Sequence, residues 1–167
     1  MNNELTAKDI ADMEAEIEHR KVVVRKELLE HVKVARAQGD LSENFEYYAA
    51  KKEKNANESR IRYLERMIRT ARIIEDTSAA DEVGMNKTVR VRNEEDGETL
   101  EYKIVTTMRQ DVLKGLVSVE SPIGKALMGH RAGERITVEV SKDYAYDLTI
   151  LSIEDTGLKE EDVLRAF

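Results

Sequence analysis

The chain has no cysteine and no tryptophan, a single proline (Pro122) and only two phenylalanines among its 167 residues. Without thiols there is no disulfide framework, no thiolate zinc site and no cysteine nucleophile. Aromatic residues make up 5% of the chain and charged residues 37%, a balance closer to that of long-helix proteins than of compact sandwiches. No apolar run approaches the ~20 residues that span a bilayer, and the acidic start is unlike a signal peptide. The expectation is a soluble cytoplasmic protein with no membrane partner. A basic excess is lacking too: 27 Lys and Arg face 34 Asp and Glu, a net charge of −7, which argues against bulk binding of duplex nucleic acid. The length allows one domain or two small ones.

What is present divides into two halves of different period. From Ile10, apolar residues recur at Met13, Ile17, Val24, Leu28, Val32 and Ala35, the three-and-four spacing of a helix stripe. Thr6 suits the N-cap, and the spacing predicts one helix over 7–37, about 45 Å long at 1.5 Å per residue. After Gly39 a second stripe runs through Tyr47, Ala50, Lys54, Asn57, Ile61, Leu64, Ile68 and Ala71, polar at Lys54 and Asn57. Two long helices joined by a short break predict an antiparallel coiled-coil hairpin. The acids Asp9, Asp12, Glu14, Glu16 and Glu18 would then meet Arg60, Arg62, Arg66, Arg69 and Arg72, as a solvated, mutually neutralising surface.

Residues 78–86 have the small and polar composition of a linker. Beyond them the period falls towards two, with strands expected around Val89–Val91, Leu100–Thr106, Leu116–Val119, Arg135–Val140 and Tyr144–Ile153. Asp96-Gly97 marks a hairpin turn. Ser121-Pro122 opens a short helix that Gly129 closes. The fold class is therefore α+β in two domains: a helical hairpin over 1–77, then a small, mostly antiparallel sheet domain with one short helix over 87–154. An extension, 155–167, follows; Leu158, Val163, Leu164 and Phe167 would give it one apolar face as a short helix, and disorder is the alternative.

The usual catalytic constellations are missing. His19, His31 and His130 lack metal-ligand spacing, no serine sits in a nucleophile elbow, and there is no glycine-rich phosphate loop. One arrangement is left, at the hairpin tip (39–45), where Asp40 and Glu43 are three apart and can share a helix face. Asp40 as N-cap with Glu43 at N3 is close to a capping box. Acids at the end of a slender hairpin also suit service in a partner's site, where they would help hold Mg²⁺, a hard ion that prefers oxygen ligands. Alone, two carboxylates bind that ion weakly.

At these residues the sequence resembles the bacterial Gre transcript-cleavage factors, nearest their GreA type. The likeness rests on Gly39-Asp40-Leu41-Ser42-Glu43-Asn44, Glu46-Tyr47 and Ala49-Ala50-Lys51, on Arg60-Ile61 and Leu64-Glu65, and on Ser121-Pro122-Ile123 with Ala126-Leu127-Met128-Gly129. The resemblance implies a factor that is not a nuclease by itself. It would enter the secondary channel of bacterial RNA polymerase and stimulate the polymerase's own cleavage of backtracked RNA, with Asp40 and Glu43 sharing a Mg²⁺ ion with the polymerase. The partners implied are the polymerase and the backtracked RNA 3′ end, the free factor being a monomer. The sheet domain would be FKBP-like and dock on the polymerase through Ser121, Pro122, Ile123 and Gly129; prolyl isomerase activity is not expected from the fold alone. Arg36, Lys51, Lys52 and Tyr48 would contact RNA or the channel wall, while Gly39, Asn44, Phe45 and Tyr47 shape the tip. Phe45 departs from the small or polar residue expected there, which keeps a second role in view: a channel-binding inhibitor or regulator that does not promote cleavage.

Overall fold

The structure, a computed structural model, describes residues 3–39 and 44–166. The chain forms two compact units, one of residues 8–71 with Asn3, the other of residues 4–7 and 72–166.

The first unit is a helical hairpin. Helix α1 (Ala7–His19) follows Thr6, and α2 (Arg25–Arg36) and α3 (Phe45–Arg69) complete it. Short strands β1 (Asn3–Leu5) and β2 (Ala71–Ile73) pair with each other, and most of their residues belong to the second unit. The single helix expected over 7–37 is interrupted: Arg20–Val24 is a π-helical turn, in which the Arg25 N–H bonds to the Arg20 carbonyl. The reason lies across the hairpin, where the Asn57 side chain both donates to that carbonyl (3.3 Å) and accepts from the Arg20 guanidinium (2.9 Å). A polar side chain inserted at the backbone is a recognised cause of a π turn.

Antiparallel pairing is fixed by Glu16 with Arg60 and Arg25 with Glu58, and by an Asn44–Ala35 hydrogen bond at the far end. Met13, Ala35, Tyr47, Ile61, Leu64 and Met67 are its buried apolar side chains, beside buried Asn57 and Arg60. Met67 and Arg60 lie outside the stripe read from the sequence, whereas Ile68 and Ala71 are only half-buried. The expected meeting of an acidic and a basic run holds for Glu16 and Arg60. Further pairs run the opposite way, with Arg25 gripping Glu58 through two bonds and Lys21 meeting Glu65. Glu58 is thus held across the hairpin.

The second unit is built on a five-stranded sheet in the order β5-β4-β3-β7-β6. Its strands are β3 (Thr88–Asn93), β4 (Thr99–Val105), β5 (Leu116–Ser118), β6 (Arg135–Glu139) and β7 (Ala145–Glu154). All neighbours are antiparallel except β4 and β5. Asp96-Gly97 makes the β3–β4 turn, with Gly97 at φ 74°, where a left-handed backbone favours glycine. One face of the sheet carries Val89, Val91, Ile104, Ile136, Val138, Leu148 and Ile150, and helix α4 (Pro122–Leu127) adds Leu127 to that core.

Two boundaries differ from the sequence reading. Residues 78–86 are not a spacer, because Val83 is fully buried in the sheet core and Met85 is nearly so. The Val83 N–H donates to the His130 carbonyl (2.8 Å), and the Val83 carbonyl accepts from Gly129 (3.1 Å). A stretch so bonded is part of the folded unit, however polar its composition. Residues 155–166 form neither a docking helix nor a separate tail; they run as irregular chain with one turn along the same unit. Their anchor is Asp162, 5% exposed and paired with Lys103, while Val163 of the proposed apolar face stays 58% exposed.

Candidate functional site

The closed end of the hairpin is assembled around Asn44. It is the N-cap of α3, its side-chain oxygen accepting the Tyr47 N–H (3.0 Å), and its side-chain NH₂ donates to the Ala35 carbonyl in the last turn of α2 (2.6 Å). One amide therefore satisfies an orphan donor of α3 and gives the Ala35 carbonyl, which also accepts the Gln38 N–H at 3.2 Å, a second partner. This corrects the capping expectation: α3 begins at Phe45, so its cap is Asn44 and not Asp40. An amide does here what a carboxylate cannot, because only the amide both accepts and donates.

Tyr47 packs under the end, 8% exposed. The Arg36 guanidinium lies 5.5 Å from its ring centroid and reaches its hydroxyl at 3.4 Å, while the Lys51 ammonium lies 6.0 Å from the ring. The Arg36 hydrogen bond, with the nearby Lys51 charge, outweighs burial and holds the phenol below its usual pKa. Tyr48 meets Tyr47 edge-on with centroids 5.4 Å apart, yet remains half exposed. Arg36, Lys51 and Lys52 are all exposed, so the end carries cationic side chains around a tyrosine pair. Phe45 projects with 86% of its surface exposed; it does not pack into the tip. Gly39 sits at φ 145°, a backbone setting that favours glycine. Asp40 and Glu43, the acids on which the sequence reading turns, lie outside the described residues.

The second cluster lies in the sheet unit. Ser121 caps α4, its Oγ accepting from Gly124 N–H (3.1 Å) and donating to the Ser118 carbonyl (2.6 Å), with Pro122 at the first helical position. Pro122 is exposed, Ser121 and Ile123 half-buried, and Ile123 packs against the sheet core. Gly129, at φ 82°, ends the helix. Two features escaped the sequence reading. A β-carbon on Gly124 would overlap the Ser118 carbonyl oxygen, so only glycine allows the helix to seat there. Thr107 also braces the loop, its hydroxyl 2.7 Å from the Ser118 hydroxyl and donating to Glu120 at 2.6 Å. Neither has a periodic signal, because each depends on a segment distant in the chain. The structure places the hairpin end and the α4 loop in separate units.

Comparison with known proteins matches both halves. A family model described as "Transcription elongation factor, N-terminal" fits residues 3–73, and one described as "Transcription elongation factor, GreA/GreB, C-term" fits residues 77–155. "Transcription elongation factor GreA" of Streptococcus gordonii is 44% identical over 91% of this chain and 95% of its own length. The protein of the same name from Bacillus subtilis is 44% identical over 81% of this chain and 86% of its own. Among solved structures, the crystal structure of GreA factor homolog 1 (Gfh1) of Thermus thermophilus aligns over 92% of this chain and 99% of its own, at 24% identity and a TM-score of 0.43.

Proposed function

The chain belongs to the GreA/GreB family of transcription elongation factors, and from that membership we propose that it stimulates cleavage of backtracked RNA by bacterial RNA polymerase, as an accessory factor and not as an enzyme in its own right. The observation that carries this reading to residues is the Asn44 clasp. By joining α2 to α3 it closes the hairpin, and Asp40 and Glu43 fall between these helices in the sequence. Acids at that place in the chain suit delivery into a narrow channel of the polymerase, where the hairpin acts as a coiled-coil probe.

The donor chemistry agrees. No histidine or cysteine occurs from Arg36 to Lys54, so the acids offer only the hard oxygen ligands that suit Mg²⁺. Asp40 and Glu43 would hold the ion jointly with the polymerase's own carboxylates. When bound, it neutralises charge on the attacking and leaving oxygens of phosphoryl chemistry. The rest of the work falls to this chain's own side chains. Asn44 sets the end of the hairpin, Tyr47 and Arg36 stiffen it, and Tyr48, Lys51 and Lys52 face outward towards RNA phosphates or the channel wall. The sheet unit, read as FKBP-like, docks through Ser121, Pro122, Ile123 and Gly129.

The test is RNA cleavage in stalled, backtracked elongation complexes with Mg²⁺, comparing wild type, Asp40→Ala, Glu43→Ala and no factor. Stimulation by wild type, its loss in both variants and retained polymerase binding are the expected results. Exposed Phe45 favours one rival, a channel-binding inhibitor. That reading takes over if wild type binds a matched polymerase and stimulates nothing, and Phe45→Ser would then be the variant to restore cleavage.

A further inference from the structure

The family model ends at residue 155, yet the chain beyond it is built into the sheet unit. The Thr156 hydroxyl meets that of Thr88 at 2.7 Å. The Lys103 ammonium, on β4, donates to the Gly157 carbonyl (2.7 Å) and to Asp162 Oδ2 (2.6 Å). That same oxygen accepts the Lys159 N–H at 2.9 Å. The Arg109 guanidinium donates to the Asp162 carbonyl (2.8 Å), and the Arg165 N–H donates to the Met108 carbonyl (2.7 Å). Lys103, Arg109 and Asp162 are each at most 7% exposed. Lysine and arginine are almost never so buried unless paired, so the strap and the two cations require one another.

What the strap grips is the short 3₁₀ turn Thr107–Arg109. The other side of that turn is Thr107, which bonds to the Ser118 hydroxyl and the Glu120 carboxylate. Ser118 in turn accepts the Glu120 N–H on its hydroxyl and two bonds from Ser121 on its carbonyl. Ser121 caps α4 and sets Pro122 at the helix start. Hydrogen bonds on either side of the 107–109 turn, joined by its covalent backbone, thus link the strap to the Ser118–Ser121 loop.

We propose that residues 156–166 are a positioning strap: they clamp the 107–109 turn and, through Thr107, hold the Ser118–Ser121 loop in the shape that presents Pro122 for docking. The docking half of this inference rests on the function proposed above; the clamping half does not. The strap makes no contact with a partner in this scheme and acts only through the turn.

Two variants test it: truncation after Asp155, and Asp162→Asn in the full-length chain, which keeps the strap's length and removes the carboxylate charge. Hydrogen exchange resolved by segment is read first. Amides of 107–109 and 118–124 are expected to exchange about tenfold or more faster while those of β6 and β7 stay unchanged, because local opening differs from global unfolding. A synthetic peptide of residues 156–167, added to the truncated protein, should restore protection. Acceleration confined to β4 and the 107–109 turn would overturn the proposal and leave the strap a mere edge cover. Uniform acceleration through β6 and β7 would also overturn it, as general destabilisation. Binding to core RNA polymerase is read second: a weakening of about tenfold, reversed by the peptide, supports the docking half. Equal binding by wild type and variants, with 118–124 loosened, overturns that half. If wild type itself does not bind, the docking reading falls, and exchange still decides the clamp.

Discussion

Between the helices of the hairpin, the bonds that set the pairing are made by guanidinium groups, carboxylates and two asparagines: Glu16 with Arg60, Arg25 with Glu58, Asn57 with Arg20, Asn44 with Ala35. The sheet unit closes instead around nine buried apolar side chains in one cluster, from Val83 to Ile150, each fully buried one stabilising by about 1.5–3 kcal/mol. Directional polar bonds specify register well but add little net stability, typically ~0.5–1.5 kcal/mol each. Apolar burial does the reverse. The contrast teaches how one chain combines a charged hairpin, whose partner positions must match in phase, with a sheet unit held by apolar burial.

The sharpest way to break this contrast is to remove a core side chain. Ile150→Ala is expected to cost the sheet unit about 2–5 kcal/mol, read as early melting of segments 88–154 in hydrogen exchange, with protection of α3 retained. Loss of both together would mean that the units do not differ in what holds them. Next in size, Arg60→Met removes a guanidinium that is 6% exposed together with its bonds to Glu16, and should lower hairpin stability by about 1–3 kcal/mol; an unchanged hairpin would show that burial of the methionine fully replaces the ion pair.

Acid should separate the units further. Burial pushes the Glu16 carboxyl up, but hydrogen bonds from Arg60 and Arg20 outweigh it, leaving the pKa below its ordinary 4.5. Glu58 is lowered likewise, chiefly by its hydrogen bond to Arg25. A pKa depressed on folding contributes stability that is present above the ordinary value and lost as pH falls through the folded one. Helix content at 222 nm is therefore expected to fall below about pH 4.5 before the sheet core opens. In the sheet unit Asp162 follows the same sign: burial raises its pKa, and the Lys103 hydrogen bond brings it below the ordinary 3.8. Acid should loosen the strap while the apolar core persists. The smallest effect is that of salt. At 1 M the screening length is about 3 Å, and exposed pairs such as Lys21–Glu65 in the hairpin and Arg135–Asp147 in the sheet unit should lose at most ~1 kcal/mol each, lowering the hairpin transition more than that of the sheet unit, which its apolar core holds.

Much of this was readable from the chain. The three-and-four spacing found both helices, alternation found the strands, and Ser121-Pro122 with Gly129 bracketed α4, because each signal lies within a few residues of what it controls. The misses share a cause. Val83 enters the core from a stretch that reads as spacer, Asp162 finds Lys103 59 residues away, and Asn57 opens the backbone at Arg20 37 residues away. No local period encodes such partners. Asp40 with Glu43 matches the capping pattern in sequence, while Asn44 reads only as a tip residue; the Ala35 carbonyl explains the cap, because an amide can donate to it and a carboxylate cannot.

The π turn at Arg20–Val24 also bears on how this chain can change length. It holds one residue more than an α-helical turn, so excising one residue there restores ordinary helix and leaves the flanking segments in phase. Excision anywhere else in α2 or α3 would turn all that follows by about 100°. Deleting Val22 should therefore preserve both the Glu16–Arg60 and the Ala35–Asn44 bonds, whereas deleting Leu28 should break one of them, as side-chain NMR of the two variants would reveal. Among the positions of the first helical stretch, this turn is the one where a single-residue deletion can be inherited without rewriting the seam.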